Sequence, residues 1–108
     1  MTDTQTVAGV MQEMQGKFKA EKAAGMNETF QFDITGDGGG QWYAKISDGN
    51  AEFAEGTADD PSVTITASDD DWIKIVHGQL NPQMAFMTGK IKVKGNIGLA
   101  TKLGSLFL

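Results

Sequence analysis

Apolar and polar residues alternate with a period of two in five short stretches, and recur at helical spacing in segments around them. In residues 5–24, Val7, Met11, Met14 and Phe18 fall on one side of a helix. Lys17, Lys19 and Lys22 sit toward its carbonyl end, where cations are favoured, and Gly25 supplies a stop. Gly16 weakens the middle of that helix by about 1 kcal/mol relative to alanine, so packing must hold it. Phe30, Phe32 and Ile34 then alternate with Gln31, Asp33 and Thr35. Trp42, Ala44 and Ile46 alternate with Tyr43, Lys45 and Ser47, and Ala51 and Phe53 alternate with Glu52 and Ala54. The connections Gly36-Asp37-Gly38-Gly39-Gly40 and Asp48-Gly49-Asn50 are hairpin turns, so the three strands form an antiparallel meander. One face of such a sheet is apolar and the other is solvated.

The second half of the chain continues in the same way. Residues 56–61 read as a turn, and Val63, Ile65 and Ala67 mark a fourth strand. Ser68 or Asp69 caps a short helix whose first turn, Asp69 to Asp71, is acidic and whose buried stripe is Trp72, Ile75 and Val76. Gly78 ends it. Asn81 caps a further helix with Pro82 at its first position, where the missing amide hydrogen costs little. After Gly89, the run Lys90-Ile91-Lys92-Val93-Lys94 is a fifth strand with its lysines in water. Asn96 caps a terminal helix carrying Ile97, Ala100 and Leu103. The order of elements predicts an α+β fold: a five-stranded, mainly antiparallel sheet with helices packed on one face.

Length and charge narrow the function classes. The 108 residues form one domain spanning 1–108, without a linker or internal repeat. No cysteine is present, which excludes a disulfide scaffold, thiol catalysis and thiolate metal sites. No apolar stretch approaches the ~20 residues of a membrane span, and the first residues lack the pattern of a signal peptide. A net charge of −5 argues against nucleic acid as a partner and against standing attachment to anionic membranes, leaving at most transient membrane contact. The lysines near the end read as solubilising, with a weak perch for phosphate or carboxylate head groups as the functional counterpart.

Candidate chemistry is sparse. The glycine-rich loop at 36–40 reads as a flexible hairpin tip: it lacks the ligand spacing of a calcium loop, and it joins two strands where a dinucleotide fingerprint would open a helix. Asp69, Asp70 and Asp71 are adjacent on a helix and point to different sides, so helix-dipole complementarity explains them without a metal. His77 is the single histidine, and no serine stands in a nucleophile-elbow context. Its place at a helix end suits capping of carbonyls. The expectation is no catalytic residue, no metal and no cofactor.

Residues 81–103, N-P-x-x-A-F-M-x-G-K-I-K-V-K-G-N-x-G-x-A-x-K-L, closely resemble the C-terminal hallmark of the sterol carrier protein-2 family of non-specific lipid-transfer proteins. The glycine-rich hairpin before Gln41-Trp42-Tyr43, the V-T-I-T-A-S strand at 63–68, the acidic start of the Trp72 helix and His77-Gly78-Gln79-Leu80 fit the same family. The resemblance covers roughly residues 5–107, and its second half is the specific part. It implies that sheet and helices enclose an apolar tunnel for fatty acids, fatty acyl-CoA, sterols or phospholipids. Met84, Met87, Ile91, Val93, Leu99, Leu103, Leu106 and Phe107 would be plain core in any small domain. The resemblance makes them tunnel wall instead, together with Phe32, Trp72 and Val76. Methionines suit such a wall because flexible thioethers repack around different ligands. The terminal Leu106-Phe107-Leu108 is expected to fold over the pocket.

Eukaryotic members of the family often end in a Ser-Lys-Leu-type peroxisomal address that this tail does not match, so a cytoplasmic, prokaryotic protein is the simplest expectation. The function implied is non-catalytic lipid binding and transfer. The alternative is an accessory subunit that docks on an enzyme of acyl-CoA or lipid metabolism.

Overall fold

A computed structural model describes residues 6–107. The elements are α1 (Val7–Gly16), a 3-10 turn (Ala20–Ala23), β1 (Glu28–Thr35), β2 (Gly40–Ser47), β3 (Asn50–Glu55), β4 (Val63–Ser68), α2 (Asp69–Val76), α3 (Pro82–Met87), β5 (Ile91–Gly95) and α4 (Ile97–Phe107). The strands form one sheet in the order β3-β2-β1-β4-β5. The β1–β2, β2–β3 and β4–β5 pairs are antiparallel, and β1–β4 is parallel. The α+β architecture and the meander of the first three strands are as the alternation predicts.

Period-two alternation puts Phe30, Phe32, Ile34, Ala44, Ile46, Val63, Ile65, Ala67 and Ile91 on one buried face. Against them pack Val7, Val10, Met11 and Met14 of α1, Trp72, Ile75 and Val76 of α2, and Leu99, Leu103, Leu106 and Phe107 of α4. Rings organise the centre of this layer. Phe107 meets Phe53 and Phe30 edge-on, with centroids at 5.3 and 6.1 Å, and Phe18 at 5.5 Å. Phe32 stacks on Phe53 and lies 5.4 Å from Trp72, whose indole Nε1 is buried with no hydrogen-bond partner among the described residues.

The other face is not uniformly solvated. After β3 the chain crosses back over β2 and β1 to reach β4, and Gln31 lies buried beneath this crossover. Gly56 N–H donates to Gln41 O and Ser62 N–H to Thr29 O, which fixes the two ends of the crossing segment.

Helix ends follow local chemistry. Thr6 Oγ1 accepts from Gly9 N–H at 3.1 Å, and Ser68 Oγ accepts from Asp71 N–H at 3.2 Å. Asn81 Oδ1 accepts from Gln83 and Met84 N–H, with Pro82 at the first helical position. Asn96 Oδ1 accepts from Leu99 N–H at 3.3 Å.

Three local expectations need correction. The first helix stops at Gly16 instead of running to residue 24, and Lys17 is its C-cap. The chain then turns back so that Phe18 meets Phe107, while Lys19 N–H donates to Leu106 O at 2.9 Å. Tertiary packing on α4 outweighs helix continuation, and Lys19 and Lys22 fall beyond the helix. His77 ends α2 as expected, but its imidazole caps no carbonyl among the described residues: Nε2 stands 3.3 Å from Glu13 Oε2 of α1. The ring N–H is not aligned for a hydrogen bond there, since that oxygen has no hydrogen-bond partner among the described residues. Glu13 Oε1 also lies 3.3 Å from Lys17 Nζ. The glycine-rich hairpin, finally, is tied down. Asp69 Oδ2 accepts from Gly38 N–H at 2.9 Å, so the first residue of α2 holds the β1–β2 turn as well as favouring the helix dipole.

Candidate functional site: an apolar cleft at the β5 end of the sheet

Past β4 the helix layer is incomplete. α4 rises from the end of β5 and packs across β4, while α3 is short and packs against β5. Only Ala85 of α3 is buried, because six residues give the helix less than two turns to turn inward. The gap between these elements is a cleft of about 370 Å3. Ile65, Ile91 and Val93 form its floor on the sheet. Asn81, Pro82, Gln83 and Phe86 supply the α3 side, and Ile97, Ala100, Thr101, Leu103, Gly104 and Ser105 the α4 side.

Register explains the floor. Ile65 pairs with Val93 and Ala67 with Ile91 across β4 and β5, so these side chains share the helix-facing side of the sheet. Lys92 and Lys94, opposite Thr66 and Thr64, point to the other side. Consequently no ionisable side chain lines the cleft. Its polar groups are those of Asn81, Gln83, Thr101 and Ser105, and Asn81 and Thr101 already engage backbone at the helix ends or within α4. Phe86 and Ile97 both line the cleft and are 45% and 53% exposed, which puts its mouth between the end of α3 and the start of α4.

Of the residues expected to line a lipid site, the structure brings Ile91, Val93 and Leu103 to this cleft. Phe32, Trp72, Val76, Leu106 and Phe107 are instead buried in the central layer, with Leu99 beside them, and none reaches the cleft surface. The expected lid of Leu106 and Phe107 is therefore an interior wedge; Leu108 lies outside the described residues. Met84 and Met87 are not wall residues either. They are 56% and 80% exposed on the outer side of α3, because Ala85 takes the single inward position of that helix. The space itself is a cleft open at the surface. Sequence reasoning missed Ile65, Asn81, Pro82, Gln83, Phe86, Ile97, Ala100, Thr101, Gly104 and Ser105 as cleft residues. Ile65 was visible as a core-facing strand residue, but nothing local indicated that its neighbour would be a void.

A second hollow of similar size lies on the opposite face, between the crossover and Thr29, Tyr43 and Lys45. Asp59 and Asp60 rim it, and it is polar and solvated. Among the described residues no group of three or more histidine, cysteine, aspartate or glutamate side chains could hold a metal ion. No helix among them is long and apolar enough to cross a membrane.

The chain is similar to known proteins over most of its length. The chain is 43% identical over 79 residues to hydroxysteroid dehydrogenase-like protein 2 of Bos taurus, a match covering 71% of this chain and 19% of that protein. It is 47% identical over 66 residues to peroxisomal multifunctional enzyme A of Dictyostelium discoideum, covering 60% of this chain and 15% of the enzyme. The chain thus spans under a fifth of the length of these two relatives. Among solved structures, palmitated SCP2L2 from Aedes aegypti superposes with a TM-score of 0.76 at 26% identity, covering 93% of this chain and 92% of that one. The family model of the SCP-2 sterol transfer family matches residues 11–108, and the chain belongs to that family.

Proposed function

We propose that the cleft receives the acyl chain of a long-chain fatty acid or fatty acyl-CoA, and that the chain acts as a single lipid-binding and lipid-transfer domain without catalysing a reaction. The observation that carries this reading is the cleft wall: apolar side chains from β4, β5, α3 and α4 surround about 370 Å3, and no charge interrupts them. That volume falls within the ordinary range for small-molecule sites. Ile65, Ile91, Val93, Leu103, Phe86 and Ile97 are the residues assigned to the acyl chain. Leu99 and the Phe32, Trp72, Phe107 group form the packed layer behind them. Sterols and phospholipids are further candidates, since an uncharged wall selects for apolar bulk more than for a head group.

The energetics are adequate. Burying a sixteen-carbon chain contributes about 12 kcal/mol at about 0.8 kcal/mol per methylene. Association and ordering cost about 4 to 15 kcal/mol, so micromolar affinity with little chain-length selectivity is expected. The palmitated Aedes relative supports a fatty acid as ligand.

A delipidated sample titrated with palmitate or palmitoyl-CoA tests the reading. Binding to the folded state alone raises stability by about 2.7 kcal/mol at a hundredfold excess over Kd, seen as a higher Tm. A folded sample whose Tm no acyl ligand shifts removes the carrier function.

A second reading rests on the relatives' lengths: matching segments occupy 19% and 15% of proteins named as a dehydrogenase-like protein and a multifunctional enzyme. The domain would then serve an enzyme of lipid metabolism as a docked lipid-holding unit. Native mass spectrometry separates the two. Co-purifying lipid supports the free carrier, and a stable heteromeric complex supports the accessory unit. Cytoplasmic action suits a chain without cysteine, and the Dictyostelium relative's name makes the peroxisome the other compartment to examine.

A further inference from the structure

Two Asp-Gly pairs occur in the chain, Asp37-Gly38 and Asp48-Gly49. In such a pair the glycine nitrogen can attack the preceding side chain, because glycine carries no Cβ to shield it. Both aspartates are exposed at hairpin tips, between β1 and β2 and between β2 and β3, so access of water does not distinguish them. Hydrogen bonding does distinguish them. Gly38 N–H donates to Asp69 Oδ2 at 2.9 Å, and Gly39 N–H donates to Gly36 O at 3.1 Å. The Asp69 carboxylate also fills the space over that turn: a Cβ on Gly36 or Gly38 would lie 2.5 or 2.9 Å from it. The Gly38 nitrogen is thus held by a negative group that opposes loss of its proton. Gly49 N–H has no hydrogen-bond partner among the described residues, and a Cβ there would meet nothing within 4 Å. Asp48, at a φ of 53°, is the one non-glycine residue among them in the left-handed region, which L-residues disfavour.

We propose that Asp48 is a site of spontaneous isoaspartate formation, and that the Asp69 contact protects Asp37 from the same reaction. Gly49 N attacks Cγ of the Asp48 side chain in its protonated, carboxylic acid form. The amide proton and the carboxyl hydroxyl leave as water, and a five-membered succinimide closes. Water then opens the ring at either carbonyl. Opening at Cγ restores aspartate. Opening at the backbone carbon leaves the main chain running through Cβ and Cγ, with the former backbone carbonyl as a free carboxylate. Water is the one reactant, and the mass is unchanged. The consequence falls on the sheet edge. An extra main-chain carbon enters the two-residue turn that sets the pairing of Ser47 with Asn50 and of Ile46 with Ala51. The edge strand β3 carries Phe53, whose ring meets Phe32 and Phe107. Isomerisation at Asp48 therefore loosens β3 and the ring cluster that it supports.

The test is storage of the folded full chain near neutral pH in water enriched in oxygen-18. The protein is then returned to ordinary water and cleaved at lysine. Cleavage after Lys22, Lys45 and Lys74 puts the two Asp-Gly pairs in separate peptides. Each passage through the succinimide leaves a heavy oxygen that mass spectrometry locates, and chromatography resolves isoaspartate from aspartate. Asp48 should convert at least about tenfold faster than Asp37, since attack by Gly38 must first break a hydrogen bond to a charged group. In concentrated urea, which removes the fold, the two should convert alike. Asp69→Ala, shown folded by circular dichroism, should raise conversion at Asp37 about tenfold and leave Asp48 unchanged. The isomerised fraction should unfold at a lower Tm than fresh protein. Conversion at Asp37 as fast as at Asp48 in the folded wild type overturns the proposal. So does an Asp48 that stays unlabelled while the urea-unfolded chain converts. A folded Asp69→Ala whose Asp37 keeps the wild-type rate overturns the protective role. The wild-type comparison needs no variant, so it decides the matter whatever Asp69→Ala does to folding.

Discussion

Gln31 and Ala58 are joined across the polar face of the sheet: the Gln31 Oε1 accepts from Ala58 N–H at 2.8 Å. Its Nε2 donates to Trp42 O at 3.1 Å, Gly56 O at 3.2 Å and Asp33 Oδ1 at 3.3 Å. One amide therefore replaces water for three backbone groups where the crossover seals them off. Without it the parallel pairing of β1 and β4 would require a buried, unsatisfied turn.

Gln31→Leu removes this clamp while keeping the volume. Ala58 N–H, Gly56 O and Trp42 O are left without the partner that burial demands. The expected cost is about 2 to 3 kcal/mol, measured as a lower midpoint of urea unfolding at unchanged m. A variant as stable as the wild type would mean that water satisfies these groups.

The β1–β2 hairpin makes a second, purely steric prediction. A Cβ at Gly39 would lie 2.1 Å from Ile34 O and 2.8 Å from Thr35 O, which are backbone atoms that cannot swing aside. Gly39→Ala should destabilise by about 1 to 3 kcal/mol, the range for forced overpacking. Gly49→Ala meets nothing within 4 Å in the neighbouring hairpin, so any cost there comes from its φ of +77° alone. Thermal unfolding of the two variants side by side separates contact from backbone strain.

Phe107 gives the third. Its ring is fully buried among Phe18, Phe30 and Phe53 at 5.5, 6.1 and 5.3 Å, so it holds α4, the 17–26 return segment and the sheet together. Phe107→Ala should cost about 3 to 5 kcal/mol, the usual loss for truncating a buried phenylalanine. Truncation after Lys102 should therefore unfold the domain, and circular dichroism of the shortened chain checks it. A shortened chain that retains its structure would place Leu106 and Phe107 back in the role of a lid.

How far these features were legible depends on how local their causes are. The strands of Phe30, Phe32 and Ile34, the Ser68 cap and the Asn81-Pro82 helix start are written within a few residues each, and the structure has them. Gln31 looks like any outward residue of an alternating strand, because the crossover that buries it belongs to residues 56–62. Phe107 reads as part of a lid over the pocket, because the partners that make it an interior wedge lie far off in sequence at 18, 30 and 53. Met84 and Met87 share the helical spacing of a buried stripe, yet α3 is too short and too near the sheet edge to bury more than Ala85. The cleft was the least visible feature. A void arises from how α3 and α4 diverge over β5, and no single residue encodes that.

The cleft itself yields the most direct prediction. Ala100 lies on its α4 wall, and a larger side chain there can grow into open space instead of into the packed layer. Ala100→Phe should leave stability within about 1 kcal/mol of the wild type, since the ring enters a void and displaces only solvent. It should weaken palmitate binding by at least tenfold, about 1.4 kcal/mol, because the ring takes volume from a cleft of about 370 Å3. Palmitoyl-CoA should lose as much as palmitate, since no ionisable group lines the cleft to treat the two head groups differently. Fluorescent fatty acid titration with competition by each ligand gives both numbers, and urea unfolding confirms the fold. A folded Ala100→Phe that binds both ligands like the wild type would move the acyl site away from the α3–β5–α4 cleft.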